Sequence, residues 1–397
     1  MTPVRIDKAR YLSPAWAALE RERLWPRVWL PAAHVDLLPS AGSHVTTTVG
    51  GAEVVIVRGD DGAVRAFHNA CVHRGRRLVD APCGRAEALR CPLHHWVYAL
   101  DGRLTDAPQR EAFGALAGPS TGLAELACAT WRGQVFVHLG QPDEPLEAWL
   151  APVEAGLARY DLDAYALVDR KTFCLPANWK TVADLFNEAY HVPAVHPYLL
   201  GSVDPTSVET VVHGAHVEQT FRIGAPAPGR SPTEVTDSLV ELLRDVGADP
   251  AALEGDATRA PGLLQEALRE RGVTGLSDEQ LLEGKSWYVF PALTLNVYPH
   301  GAQLHRHRPD PTDPERAWLD QLTFTRLRPG QARPTPRVSH LDVDGVPGSG
   351  RVTEDDVREA LAVQRGMRSP GFRELRLGDR EVALAHMHAM LDRYLTA

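Results

Sequence analysis

The sequence predicts an α+β chain of two domains. A small antiparallel β domain comes first, and a larger domain mixing strands and helices follows. Three observations carry this. Short β-like runs separated by glycine turns fill the stretch from about 45 to 140. Strand-like and helix-like runs alternate beyond about 150. At 397 residues and 44% hydrophobic content, the chain is long enough for two cores.

Taken in order, residues 14–30 predict an amphipathic helix, so residues 1–40 are expected to be a helical segment packing on the later domain. The β-like runs His44–Val49, Glu53–Arg58, Ala63–Phe67 and Gln134–His138 follow. Gly50-Gly51, Asp61-Gly62 and Asp101-Gly102 punctuate them as turns. These runs place the first domain at 41–150. The second, 151–397, carries expected strands at 209–223, 286–299 and 315–327. Residues 233–285 read as helical and interrupt the strands, as a cap over a pocket would. Residues 329–352 are rich in Pro and Gly and predict a long loop. From 353 to the end the pattern is helical.

The chemistry begins at Cys71-Val-His73 and Cys91-Pro-Leu-His94. Each arm supplies one thiolate and one imidazole, and seventeen residues separate the arms. A set of two cysteines and two histidines can hold zinc. Zinc knuckles, however, usually keep the two Cys in one arm and the two His in the other. Mixed arms suit a Rieske [2Fe–2S] cluster, in which two thiolates hold one iron and two imidazoles the other. His95, beside His94, leaves the second imidazole open by residue type, and the spacing favours His94. Of the remaining cysteines, Cys83 lies between the arms and reads as a packed thiol. With Cys128 and Cys174 it forms an odd set without spacing logic, as reduced thiols of a cytoplasmic protein would.

The second constellation runs from Asn178 to Pro197. Asp184, Glu188 and His191 fall at i, i+4 and i+7, one face of a helix. His196 would lie about 140° from His191 on a continuous helix. Pro193 is expected to end the helix near Val192 and let the chain bring His196 back beside His191. Two such imidazoles plus a carboxylate make a facial triad for mononuclear iron, with positions open for O2. Asp355 and Asp356, after the long loop, are candidate carboxylates. They also suit the first turn of a helix through its dipole. His305 and His307 alternate on an expected strand, and with His386 and His388 they read as structural or surface residues.

The chain resembles the α subunits of Rieske-type non-haem iron aromatic ring-hydroxylating oxygenases. The resemblance rests on Cys71-x-His73-Arg74-Gly75, Cys91-Pro92-x-His94-x-Trp96, Asn178-Trp-Lys, Glu188-Ala-Tyr-His191 with His196, and the late acidic motif. His95 stands where the family has Gly, a position His tolerates at positive φ better than most residues. The resemblance implies a helix-grip (START-like) catalytic domain. It implies a cluster on Cys71, His73, Cys91 and His94, and mononuclear Fe(II) on His191, His196 and Asp356. Asp356 is selected by its distance from Gln364, with Asp355 as fallback. Glu188 takes the place of the family's inter-subunit electron bridge. Asp184, often Asn in the family, is a candidate to touch the pocket or tune His191. Leu185, Val192 and Asn296 are implied pocket residues. The implied reaction is O2-dependent hydroxylation or dihydroxylation of a hydrophobic aromatic or alicyclic substrate. Oxidative N- or O-demethylation of a small methylated or quaternary ammonium compound is the alternative. The implied partners are a separate NAD(P)H-dependent reductase, with or without a ferredoxin, in a homotrimer with or without a small β subunit. No flavin or nicotinamide motif is visible in the chain. A reading of another class, a non-catalytic electron carrier, would need only the first domain.

The net charge of −9 with no basic run argues against nucleic acid. No apolar run approaches membrane-spanning length, and the first ten residues lack the apolar core of a secretory signal.

Overall fold

The structure, a computed structural model, describes residues 4–114, 116, 121–341 and 346–396. Part of the expected 329–352 loop therefore lies outside the described residues. The chain divides into two compact units, one formed by residues 18–150 and the other by 1–17 with 151–397.

Residues 18–150 build a seven-stranded antiparallel sheet. Its spatial order is Trp29–His34, Gln134–His138, Glu125–Trp131, Val64–His68, Ala52–Arg58, Ser43–Val49 and Cys83–Arg85. The turns fall where glycine permits positive φ, as at Gly50 and Gly51. A second sheet of three short strands, Leu89–Arg90, Val97–Tyr98 and Leu104–Asp106, carries the second cysteine arm. Val55, Val57, Phe67, Tyr98 and Leu100 share one buried cluster with Cys71 and Cys91. Hydrophobic packing therefore holds the roots of both arms.

The expected helix over 14–30 is corrected. Helical structure covers Pro14–Leu19 and continues as a wider turn over Glu20–Leu24. Beyond Pro26 the chain becomes the strand Trp29–His34, buried along its whole length and paired with Gln134–His138. β-prone Val28, Trp29 and Leu30 gain a sheet partner that a local reading cannot see. Residues 18–40 thus belong to the first unit. Only the first 17 residues join the second, where Val4–Asp7 pairs with Glu374–Leu377.

The second unit is built on an eight-stranded sheet. Its order is Val203–His213, His216–Ile223, Glu283–Val289, Leu293–Tyr298, Gly301–Pro309, Ala317–Arg326, Tyr165–Leu175 and Arg337–Leu341. All neighbours are antiparallel except the last pair. The single strands expected at 209–223 and 286–299 are each two strands, split at Gly214 and at 290–292. The stretch 329–352 is not all loop, because Arg337–Leu341 pairs with Asp169–Phe173. The C-terminal helical run is broken around Pro370-Gly371 into the helices Arg351–Met367 and Val382–Leu395, with the strand Glu374–Leu377 between them. Within 233–285 the α-helices are Asp237–Val246 and Ala260–Glu270, with shorter turns around them. No helix among the described residues is long and apolar enough to cross a membrane.

Two helices position the second constellation. Asn178 caps Trp179–Phe186 by accepting from the Lys180 N–H. Gln364, on Arg351–Met367, accepts from the Asn178 N–H at 3.1 Å and from Thr181 Oγ1 at 2.6 Å. These bonds tie the helix carrying Asp356 to the start of the helix that leads into His191.

Candidate metal centres and substrate cavity

The two cysteine arms have the same local build. In the first, the Cys71 N–H donates to the Arg76 carbonyl and the Gly75 N–H to the Cys71 carbonyl. In the second, the Cys91 N–H donates to the Trp96 carbonyl and the His95 N–H to the Cys91 carbonyl. Gly75 and His95 occupy equivalent positions, and both have positive φ, 72° and 59°. Loop shape therefore explains why glycine suits both positions and how His95 replaces it. His95 serves this turn.

Both cysteines are buried. Cys71 Sγ lies 3.1 Å from Tyr98 Oη. The imidazoles of His73 and His94 lie 4.6 Å apart by centroid, and His73 stacks on Trp96 at 4.8 Å. Nδ1 of each is buried without a hydrogen-bond partner. Buried polar nitrogens seldom go unsatisfied, and here two of them come with two buried thiols. That donor set fits the [2Fe–2S] group. Cys83 is exposed on an edge strand, not packed as expected.

In the second unit, the helix ends earlier than the spacing suggests. It stops at Phe186, where the Asn187 side chain donates to the Ala183 carbonyl and competes with a further turn. Glu188 and His191 therefore do not share its face. Pro193 opens a one-turn helix, Val192–Val195, instead of closing the previous one. His191 and His196 flank that turn, and their rings are 5.2 Å apart.

Asp356 reaches both from the other helix. Its Oδ1 lies 2.8 Å from His196 Nε2 and 3.2 Å from His191 Nε2. One ligand atom from each of the three falls within 4.8 Å of the others. Two imidazoles and one carboxylate with room for further ligands suit iron of the facial-triad type.

The opposite ring nitrogens are also held. His191 Nδ1 is 2.5 Å from Glu188 Oε1, and Glu188 Oε2 accepts from the backbone N–H groups of Tyr190 and His191. His196 Nδ1 is 3.2 Å from Tyr198 Oη, which donates to Asp355 at 3.0 Å. Asp355 thus orients a histidine through Tyr198, while Asp356 meets the imidazoles directly. Such outer partners fix ring orientation and tautomer. Burial disfavours the His191 imidazolium, but Asp356 and Glu188 outweigh it and raise its pKa to about 9. Burial likewise opposes ionisation of Asp356, yet the two imidazoles hold it below the ordinary carboxylate range.

A cavity of about 720 Å³ opens beside this set. Leu185, Val192, Glu188 and Asn296 line it. Asp184 does not. It accepts from Tyr11 Oη at 2.7 Å, and Tyr11 Oη lies 2.8 Å from His388 Nε2. This corrects the expectation that Asp184 touches the pocket. Burial pushes the Asp184 pKa up to about 7, against the Tyr11 hydrogen bond and the Lys180 charge. His305 lines the cavity and packs on Phe186, while His307 lies 3.1 Å from Thr294 Oγ1. Sequence reasoning missed Tyr198, whose only signal was its place two residues after His196.

Residues 162–397 match the family described as ring hydroxylating alpha subunit (catalytic domain), and residues 28–127 match the Rieske [2Fe-2S] domain. The chain belongs to the ring-hydroxylating α-subunit family, whose members pair a Rieske cluster with a non-haem iron catalytic domain. Among curated proteins it is similar to the glycine betaine monooxygenase oxygenase subunit of Chromohalobacter salexigens. Identity is 35% over 193 residues, covering 49% of this chain and 43% of that one. It is also similar to the carnitine monooxygenase oxygenase subunit of Escherichia coli, 30% identical over 211 residues, covering 53% and 56%. The chain spans about half the length of the curated relatives it matches. Two solved structures share the fold. The quaternary ammonium Rieske monooxygenase CntA in complex with L-carnitine aligns with TM-score 0.70 at 20% identity, covering 98% of this chain and 95% of that one. Naphthalene 1,2-dioxygenase from Rhodococcus sp. aligns with TM-score 0.69 at 20% identity, covering 98% and 94%.

Proposed function

We propose that this chain is the oxygenase component of a Rieske monooxygenase that oxidises a small quaternary ammonium compound. The observation that carries this reading is the convergence of His191, His196 and Asp356 beside a cavity. We assign the cluster to Cys71, His73, Cys91 and His94, and the mononuclear Fe(II) to His191, His196 and Asp356. When bound, these groups supply single electrons and a centre for O2. The chain's own residues do the rest. Glu188 and Tyr198 hold the Nδ1 sides of the two imidazoles, so that both Nε2 atoms turn toward Asp356. The cavity receives the substrate next to them.

The substrate class draws on the named relatives. The relatives at 30–35% identity are named as betaine and carnitine monooxygenase subunits. This reading displaces the aromatic or alicyclic substrate that the sequence first suggested. The family match over 162–397 leaves the electron-carrier reading without a role for that unit. Electrons would come from a separate NAD(P)H-dependent reductase, and Glu188 would pass them to His191 from a neighbouring subunit's cluster in a homotrimer.

The test is turnover by the iron-loaded protein with a surrogate reductase, reading product mass. Glycine betaine, L-carnitine, choline and naphthalene make the panel. A quaternary ammonium losing a methyl or gaining one oxygen is the expected result. Product from naphthalene alone would overturn the substrate class. Glu188→Gln should retain all iron yet slow turnover by about 10–100-fold, the range for outer partners of a metal ligand. An unchanged rate would remove Glu188 from the path.

A further inference from the structure

The strand register reveals a feature of the cavity that no single stretch of sequence shows. Gln219 pairs with Ser286, Ser286 with Asn296, Asn296 with Gln303, and Gln303 with Thr323. These five residues come from five adjacent strands, lie at one level of the sheet, and all line the cavity. Among the described residues, no side-chain hydrogen bond engages any of them. None of their polar atoms belongs to the fully buried unpartnered set, so these atoms reach the cavity space. Three amides and two hydroxyls thus form a band that can both donate and accept, and it carries no charge.

The band has a defined place relative to the metal ligands. One level along, Thr294 pairs with His305 and His305 with Gln321. His305 packs on Phe186, 4.5 Å between ring centroids, and Asp356 acts on its imidazole electrostatically. That level adjoins the trio of His191, His196 and Asp356. On a strand, successive residues on one face are about 7 Å apart, so the band sits about 7 Å deeper into the cavity. On its far side lie Tyr298 and Gly301. Two arginines line the cavity outside the band. Arg351 lies over the Tyr198 ring and Arg271 donates to the Asp245 carbonyl.

We propose that this five-strand band recognises a neutral hydrogen-bonding group of the substrate, a carboxamide or hydroxyl, held about 7 Å from the carbon that is oxidised. A hydrocarbon placed there would strand five polar groups away from water. A carboxylate would lose its hydration without gaining a counter-charge from the band. The inference rests on the proposed oxygenase reading and deepens it. It sets this cavity apart from one built for a ring hydrocarbon.

The experiment is calorimetric titration of the iron-loaded protein without reductant, so that no turnover occurs. Three ligands of matched shape are compared: trimethylammonio-butyramide, its acid γ-butyrobetaine, and the analogue with an isopropyl group in place of the amide. The amide should bind at least about tenfold tighter than the isopropyl analogue. That gap should close to within about twofold in Gln303→Leu and in Asn296→Leu. If either variant loses its cluster spectrum, the near-isosteric Thr323→Val carries the same comparison. Equal binding of amide and isopropyl, tighter binding of the acid, a gap that survives in the variants, or no binding of any of the three would each overturn the proposal. Failure of the oxygenase reading would appear differently, as no reductant-dependent product from any quaternary ammonium compound, whatever the titration shows.

Discussion

The two candidate metal sites of this chain are assembled by opposite routes. Each arm of the cysteine–histidine cage closes on itself through its own backbone bonds, Cys71 to Arg76 and Cys91 to Trp96. The second site joins His196 to an aspartate 160 residues away. It depends on two helices being clamped together through Gln364. A site made of local turns tolerates change elsewhere in the chain. A site made by tertiary packing inherits every weakness of that packing.

The largest test of this contrast is in the sheet beneath the second site. Asp320 is wholly buried and meets Arg170, Arg306 and Arg308. Removing it takes a shared counter-charge from three buried guanidinium groups. Asp320→Ala should cost about 3–5 kcal/mol, the usual scale for breaking a buried ion pair from one side. Denaturant unfolding would measure it. A cost below about 1 kcal/mol would mean that the arginines find other partners or water. Next in size is Gln364→Leu, which nearly conserves volume but removes the acceptor shared by Asn178 and Thr181. Iron affinity at the second site should fall about 10–100-fold while the cluster absorption stays unchanged. Loss of both signals together would erase the distinction between the two routes.

The smallest effect concerns Asp184. Its pKa is raised to about 7, mainly by burial. The folded chain therefore keeps a proton there that the unfolded chain gives up near the ordinary value of about 4. The stability tied to that proton is full below about pH 4 and is lost as pH rises through 7. Asp184→Asn keeps an acceptor for Tyr11 and removes the titration. Relative to the parent, it should gain on the order of 1 kcal/mol between pH 6 and pH 8. A difference that does not change with pH would show that Asp184 is ionised throughout.

The same contrast explains what the sequence reveals. The cage is legible because its ligands, its turn glycine and its aromatic neighbour sit within a few residues of one another. His191 and His196 are legible as a pair, yet the local path between them is not. Pro193 reads as a helix stop, whereas the stop is set by the Asn187 side chain and the proline starts the next turn. The choice of Asp356 over Asp355 follows in the sequence only from the resemblance, because both sit in one helical turn. Which of them faces the histidines depends on how that helix docks. Trp29–His34 looks helical until Gln134–His138 arrives to pair with it. The polar band is invisible in one dimension, since its five members are neighbours only through register.

The central claim is that His191, His196 and Asp356 form a second metal site separate from the cage. Iron analysis combined with the cluster's visible spectrum tests it most directly, comparing the parent protein with Asp356→Ala. The account predicts three irons per chain in the parent and two in the variant, with identical cluster spectra, as one mononuclear site and one two-iron cluster require. Three irons retained in the variant, or a cluster lost along with the third iron, would contradict it.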